Sequence, residues 1–145
     1  MLADYPQDVK IAYMMHPLPM HSQSMIAAEA AMSANNQGKF IQMHNKLFEN
    51  MGKLDREKIL GFAAEIGLDV KKFTADFDGH VTKAEIDRMT QEVMKIGATG
   101  TPATFVNGRY LSGAQPYESF KRVVDEEIAK AKNGKDAGKE AKKTD

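Results

Sequence analysis

GATGTPATFVNGRYLSGAQP, Gly97 to Pro116, is the stretch where the spacing of apolar residues changes from 3.6 to 2. A helical stripe stops at Gly97. After it, Ala103-Thr104-Phe105-Val106 and Arg109-Tyr110-Leu111-Ser112 are joined by Asn107-Gly108. Asn and Gly tolerate positive φ at the two central positions of a type I′ turn, so the run predicts a β-hairpin. Thr101-Pro102 stands directly ahead of the first strand. The cis form of an X-Pro bond costs only about 0.5 to 1 kcal/mol, so a proline between a Gly-rich turn and a strand can keep a cis bond. Pro116 suits the first turn of a last helix, where its missing N–H is no loss, and Tyr117, Phe120, Val124 and Ile128 mark that helix's buried face.

Upstream, the pattern from Ser22 to Ile96 is helical in pieces. Met25, Ala28 and Met32 place an Ala-rich helix over Ser24 to Ser33, and Asn35, Asn36 and Gly38 end it. Phe40, Met43, Leu47 and Met51 give a second stripe, closed by Gly52. Asp55 is the expected N-cap of a third helix bearing Ile59, Phe62, Ala63 and Ile66, with Gly67-Leu68 as its C-terminal signal. Asp69 caps a fourth with Val70, Phe73 and Phe77, and Asp78-Gly79 turns the chain. Thr82 with Glu85 reads as a capping box ahead of Ile86, Met89, Val93 and Ile96. Near the N-terminus, Met1 to Tyr5 is compatible with the last turn of a helix. Val9, Ile11 and Tyr13 alternate as a strand does, and Pro17 and Pro19 end that run. The expected order is strand, four or five helices, hairpin, helix, with no internal repeat.

A chain of 145 residues accommodates one domain with a sizeable core. The formal charge is zero, yet Lys130 to Asp145 carries six lysines against three acids, so this end is expected to be a flexible, Lys-rich tail from residue 131. Lysines alternating with Gly, Ala and acids give no arginine or aromatic platform, so a nucleic-acid partner is not expected. No run approaches the roughly 20 apolar residues of a membrane span, and Met1 is not followed by a signal-peptide pattern. There is no cysteine and no tryptophan, while ten methionines suggest a core of adaptable side chains.

The Pro-Leu-Pro at 17 to 19, Gln37-Gly38-Lys39-Phe40, the His44 to Phe48 segment, Gly100 to Gly108 and Gly113-Ala114-Gln115-Pro116 resemble the DsbA-like thiol-disulfide oxidoreductases of the thioredoxin superfamily. The resemblance covers roughly residues 5 to 130. It implies an α/β, truncated thioredoxin-like fold with a helical insert at about 22–96 and an incomplete small sheet. It also implies a cis bond at Pro102, Thr101 and Pro102 as the substrate-binding edge, an extended peptide or protein as partner, and a periplasmic or exported setting. Family members open with a strand and a helix that starts at Cys-x-x-Cys, and this sequence is expected to enter near the end of that helix, at Leu2 to Tyr5. The strand so missing is central in the family's sheet, between Val9–Tyr13 and Ala103–Val106. Those two segments must then pair directly or take a strand from elsewhere, which leads to an expected homo-oligomer or strand-exchanged dimer.

Thiol-disulfide exchange needs a thiolate, and no other side chain replaces sulfur in it. No residue of this chain is therefore expected to be catalytic. The expected function is that of the C-terminal portion of a DsbA-like oxidoreductase, redox-inactive as it stands; the alternative is a non-catalytic peptide-binding or self-associating domain. A relative of the glutathione-using enzymes on the same fold is a weaker third. His16, His21, His44 and His80 lack metal-ligand spacing and read as loop or surface groups, so no metal or other cofactor is expected. Asp76-Phe77-Asp78-Gly79 lacks the later ligands of a calcium loop. Gly97 to Thr101 lacks the Lys of a phosphate loop.

Overall fold

The computed structural model describes residues 1–52 and 54–140, with residues 134–140 given as helical backbone. The elements are α1 (Ser24–Asn35), α2 (Phe40–Glu49), α3 (Arg56–Glu65), α4 (Val70–Asp78), α5 (Lys83–Lys95), β1 (Ala103–Val106), β2 (Arg109–Ser112) and α6 (Tyr117–Glu140). They divide into a helical unit, Met14–Thr99, and a unit formed by Met1–Tyr13 with the chain from Gly100 onward.

The helical unit is built on α1, whose alanines keep the helix thin enough to be enclosed on more than one side. Ala30, Ala31 and Ala34 meet Met43, Leu47, Ile59, Phe62, Phe73 and Phe77 from α2, α3 and α4. Ala28 and Met32 pack with Ile86 of α5, bordered by Met15, Met25, Phe40 and Met89. Methionine accordingly fills core gaps at 32 and 43, whereas Met20 and Met51 are exposed.

Local chemistry sets the helix ends. The Asp55 carboxylate accepts from Lys58 N–H at 2.8 Å and that of Asp69 from Lys72 N–H at 3.0 Å. At the other end of α3, Leu68 N–H reaches Ala63 C=O and Gly67 N–H reaches Ala64 C=O, with Gly67 at φ +73°. This pair of bonds satisfies carbonyls that the helix leaves orphaned. The same arrangement ends α5 at Gly97. After α4 the left-handed residue is His80 (φ +51°), not Gly79, which is needed for a different reason: a Cβ there would lie 2.7 Å from Ala75 O.

Three sequence expectations need correction here. Thr82 has helical ψ (−6°) where a capping residue needs extended backbone, so its hydroxyl makes no cap bond and Oγ1 is buried without a partner. Met51 and Ile96 are 71% and 59% exposed, because α2 ends at Glu49 and α5 at Lys95 and the stripe extrapolated past those ends no longer faces the core. Val70, at the first position of α4, is also exposed. The helical backbone of α6 is described as far as Glu140, beyond the last apolar position of its stripe. Of the flexible tail expected over 131–145, residues 141–145 lie outside the described residues.

In the second unit, Tyr5 N–H bonds Met1 C=O and Val9 N–H bonds Tyr5 C=O, so the N-terminus forms isolated helical turns. These are tied to α6: Tyr117 OH donates to Asp4, Tyr5 OH to Asp125 at 2.5 Å, and the Lys121 ammonium lies 5.7 Å above the Tyr5 ring. The strand expected at Val9–Tyr13 does not form. A strand exists only through its ladder, and β1–β2 is the one sheet among the described residues. The direct pairing of Val9–Tyr13 with β1 is likewise not made, and Ile11, Tyr13 and Met14 stay largely exposed.

Two substitutions test the cap assignments. Asp55→Ala and Asp69→Ala are each expected to destabilise the chain by about 1 kcal/mol in urea unfolding, the usual loss for a capping carboxylate. Thr82→Val, which removes an unpartnered buried hydroxyl, is expected to leave stability unchanged or raise it.

Candidate functional edge at the hairpin

The hairpin forms as the sequence dictates. Asn107 (φ +48°) and Gly108 (φ +87°) occupy the two turn positions, and the register pairs Val106 with Arg109, Phe105 with Tyr110, Thr104 with Leu111 and Ala103 with Ser112. The rings of Phe105 and Tyr110 stack at 4.9 Å across the strands. One further bond extends the ladder, Gly113 N–H to Pro102 C=O at 3.0 Å. The Thr101–Pro102 peptide is cis, and both residues are exposed at the open end of the hairpin.

Charge pairs fasten the hairpin to α6. Arg109 reaches Glu126 at 2.5 Å and Glu127 at 3.3 Å. Its guanidinium holds the Glu126 carboxyl below the ordinary carboxylate range, while Glu127 is lowered first by Lys130 and then by Arg109. The hydrogen bond to Asp4 pushes the Tyr117 phenol up to about 12. The β1 residues are all half-buried, and α6 packs against that strand.

The histidines do not converge: no three His, Asp or Glu among the described residues are placed to hold a metal ion. The His44 ring lies tilted between those of Phe40 and Phe48, with centroids at 5.8 and 4.6 Å. Both ring nitrogens of His16 are buried without a protein partner. His80 Nδ1 lies 3.0 to 3.1 Å from the two oxygens of Glu29, a buried carboxylate on α1. The pair lines a cleft of about 470 Å³ with Met25, Phe77 and the Arg56–Asp78 ion pair, whose guanidinium lowers Asp78. The spacing of the sequence did not reveal this pair. Its available signal was a lone acid inside an alanine helix, which has to find a partner when that helix is enclosed.

The model of the DSBA-like thioredoxin domain matches residues 2–125. Among curated proteins, the Na(+)/H(+) antiporter NhaA of Herminiimonas arsenicoxydans is 36% identical over 115 residues; the match takes in 79% of this chain and 18% of the antiporter. The chain thus spans about a fifth of the length of the curated relatives it matches. Among solved structures, a thioredoxin-like oxidoreductase from Silicibacter pomeroyi DSS-3 superposes with a TM-score of 0.73 at 29% identity, over 86% of this chain and 72% of that one. The thiol-disulfide exchange protein alpha-DsbA2 from Wolbachia pipientis gives a TM-score of 0.68 at 24% identity, over 77% and 62%, a likeness of fold alone.

The Arg109–Glu126 contact has a measurable consequence. Because the folded Glu126 value is depressed, the pair's contribution to stability is complete above the ordinary glutamate value and is lost as pH falls through the depressed one. Arg109→Gln is expected to move the Glu126 midpoint upward in a carbon-detected NMR titration. An unmoved midpoint contradicts the assigned cause.

Proposed function

The chain belongs to the DSBA-like thioredoxin domain family, and on that premise we propose that it acts as the C-terminal portion of a DsbA-like protein thiol-disulfide oxidoreductase, supplying the edge that holds substrate and not the sulfur that reacts. The observation that carries this reading is the family match over 2–125 in a sequence with no cysteine. In disulfide exchange a thiolate attacks one sulfur of a disulfide, a new S–S bond forms, and the other sulfur leaves as thiolate. Nothing in this chain can be either sulfur. Thr101 and Pro102 receive an extended segment of the protein substrate, and the nucleophile comes from a Cys-x-x-Cys segment not included in this sequence.

The 72% coverage of the Silicibacter oxidoreductase supports a portion of such an enzyme. The ion exchange named for the antiporter relatives is not carried over, since this chain spans under a quarter of any of those cited. A setting outside the reducing cytoplasm follows from the proposed chemistry, because protein disulfides persist in oxidising compartments. Among the described residues no helix is long and apolar enough to cross a membrane.

The second reading, a peptide-binding or self-associating domain without a redox partner, is favoured by the unladdered outer side of β1. The two readings separate in one assay. The chain is mixed with a separately produced strand-plus-helix segment bearing Cys-x-x-Cys from a DsbA-like protein, and reduction of insulin disulfides is followed. Exchange faster than with the segment alone is expected. Equal rates, together with peptide-induced NMR shifts at Thr101 to Val106, support the binding domain instead.

A further inference from the structure

One carboxylate of the helical unit lies where water hardly reaches it. The Glu29 side chain is 6% exposed, and its two oxygens share a single partner among the described residues, Nδ1 of His80 at 3.1 and 3.0 Å. A buried carboxylate is costly unless its charge is matched, and one N–H of an imidazole is a small match for it. Lys83, the first residue of α5, is held by Asp87 at 2.7 Å instead. The carboxylate that holds one ring nitrogen fixes the orientation of the other. No described residue bonds His80 Nε2, and the His80 side chain is 66% exposed. His80 reaches this place by taking the left-handed conformation, φ +51°, in the turn between α4 and α5.

The cleft lined by this pair has the size of a small-molecule site, about 470 Å³, and all of its lining residues belong to the helical unit. Met25, Ile26 and Phe77 give it apolar walls. Arg56 and Asp78 also line it, but they bond each other twice, Nε to Oδ1 at 2.8 Å and Nη2 to Oδ2 at 2.6 Å, so their charges cancel. With the imidazole neutral, the charge left over is that of Glu29, and it is negative. We infer that the cleft binds a primary aliphatic amine in its ammonium form. The ammonium donates to His80 Nε2 and offsets the Glu29 carboxylate, while the alkyl stem lies against Met25, Ile26 and Phe77. An anionic ligand meets like charge there, and a purely apolar one leaves Nε2 unmet. The larger recess beside α3, about 750 Å³, lacks this chemistry. Its Gln23 amide and Asp55 carboxylate are already used, on Leu54 C=O and on the Lys58 N–H, and its acids, Asp55 and Glu57, are exposed. The inference stands on the helical unit alone and holds whether or not the chain serves a redox enzyme.

Small molecules of similar length and different charge test it by NMR on the unmodified chain. n-Butylammonium is expected to shift the methyl signals of Met25 and Ile26 and the ring signals of Phe77 and His80 saturably, in the millimolar range. Butanol and butyrate are expected to shift them little. Glu29→Gln keeps the outline of the side chain and removes its charge, and is expected to weaken butylammonium about tenfold or more. His80→Asn removes the Nε2 acceptor and is expected to weaken it similarly; asparagine also tolerates the left-handed conformation, so this second variant stands in should the first not fold. Nα-acetyl-lysine amide presents the same ammonium on a peptide. Binding as tight as that of butylammonium identifies a lysine side chain as the source, and no binding identifies a free amine. Butanol or butyrate binding as tightly as butylammonium, an unchanged affinity in the folded variants, or no saturable shift at these four residues overturns the inference. None of these outcomes alters the insulin assay in the presence of the Cys-x-x-Cys segment, so the two proposals fail separately.

Discussion

An antiparallel ladder uses the backbone groups of every second residue on each side of a strand, and a strand with a neighbour on only one side leaves the other set unmet. In this protein β1 is such a strand: Thr104 and Val106 are bonded to β2, while Ala103 and Phe105 are not bonded to any described residue. The cost of an unmatched backbone group rises with burial, and β1 is half-buried against α6. Backbone groups left open in this way are available to main-chain bonding by another extended segment.

The hairpin is held in place by chemistry that does not use the sheet. Arg109 bridges to Glu126 and Glu127, and the N-terminal turns are pinned to α6 through Asp4–Tyr117 and Tyr5–Asp125. These contacts are exposed, and exposed ion pairs contribute little to stability individually. Their effect is positional: they fix β2 and leave the other side of β1 open. The helical unit is stabilised differently, by dry packing on α1, where alanine permits enclosure on two sides at the cost of burying Glu29.

Much of this was legible in the sequence because it is local. Asn107-Gly108 sets the hairpin, Asp55 and Asp69 cap their helices, and Gly67 and Gly97 end theirs, each through bonds within a few residues. What was not legible depends on distant partners. Val9, Ile11 and Tyr13 alternate as a strand does, but alternation supplies only a face, and no neighbour supplies the ladder. Thr82-x-x-Glu85 has the residues of a capping box without the extended backbone at Thr82 that would aim the hydroxyl. The apolar stripes ran on to Met51 and Ile96 because periodicity does not register where a helix stops. The His80–Glu29 pair joins residues 51 positions apart, beyond any spacing rule. For the candidate site, the family's motif at Thr101-Pro102 could be read directly, whereas the outward parity of Ala103 and Phe105 required the register.

The central claim is that, among the described residues, β1 is paired on its β2 side alone. Amide hydrogen exchange on the dilute, unmodified chain tests it most directly, because the four residues of one short strand serve as their own controls. The account predicts slow exchange at Thr104 and Val106 and fast exchange at Ala103 and Phe105. Uniform protection along Ala103–Val106 in a chain shown to be monomeric would contradict it, since the outer edge would then be paired within the molecule.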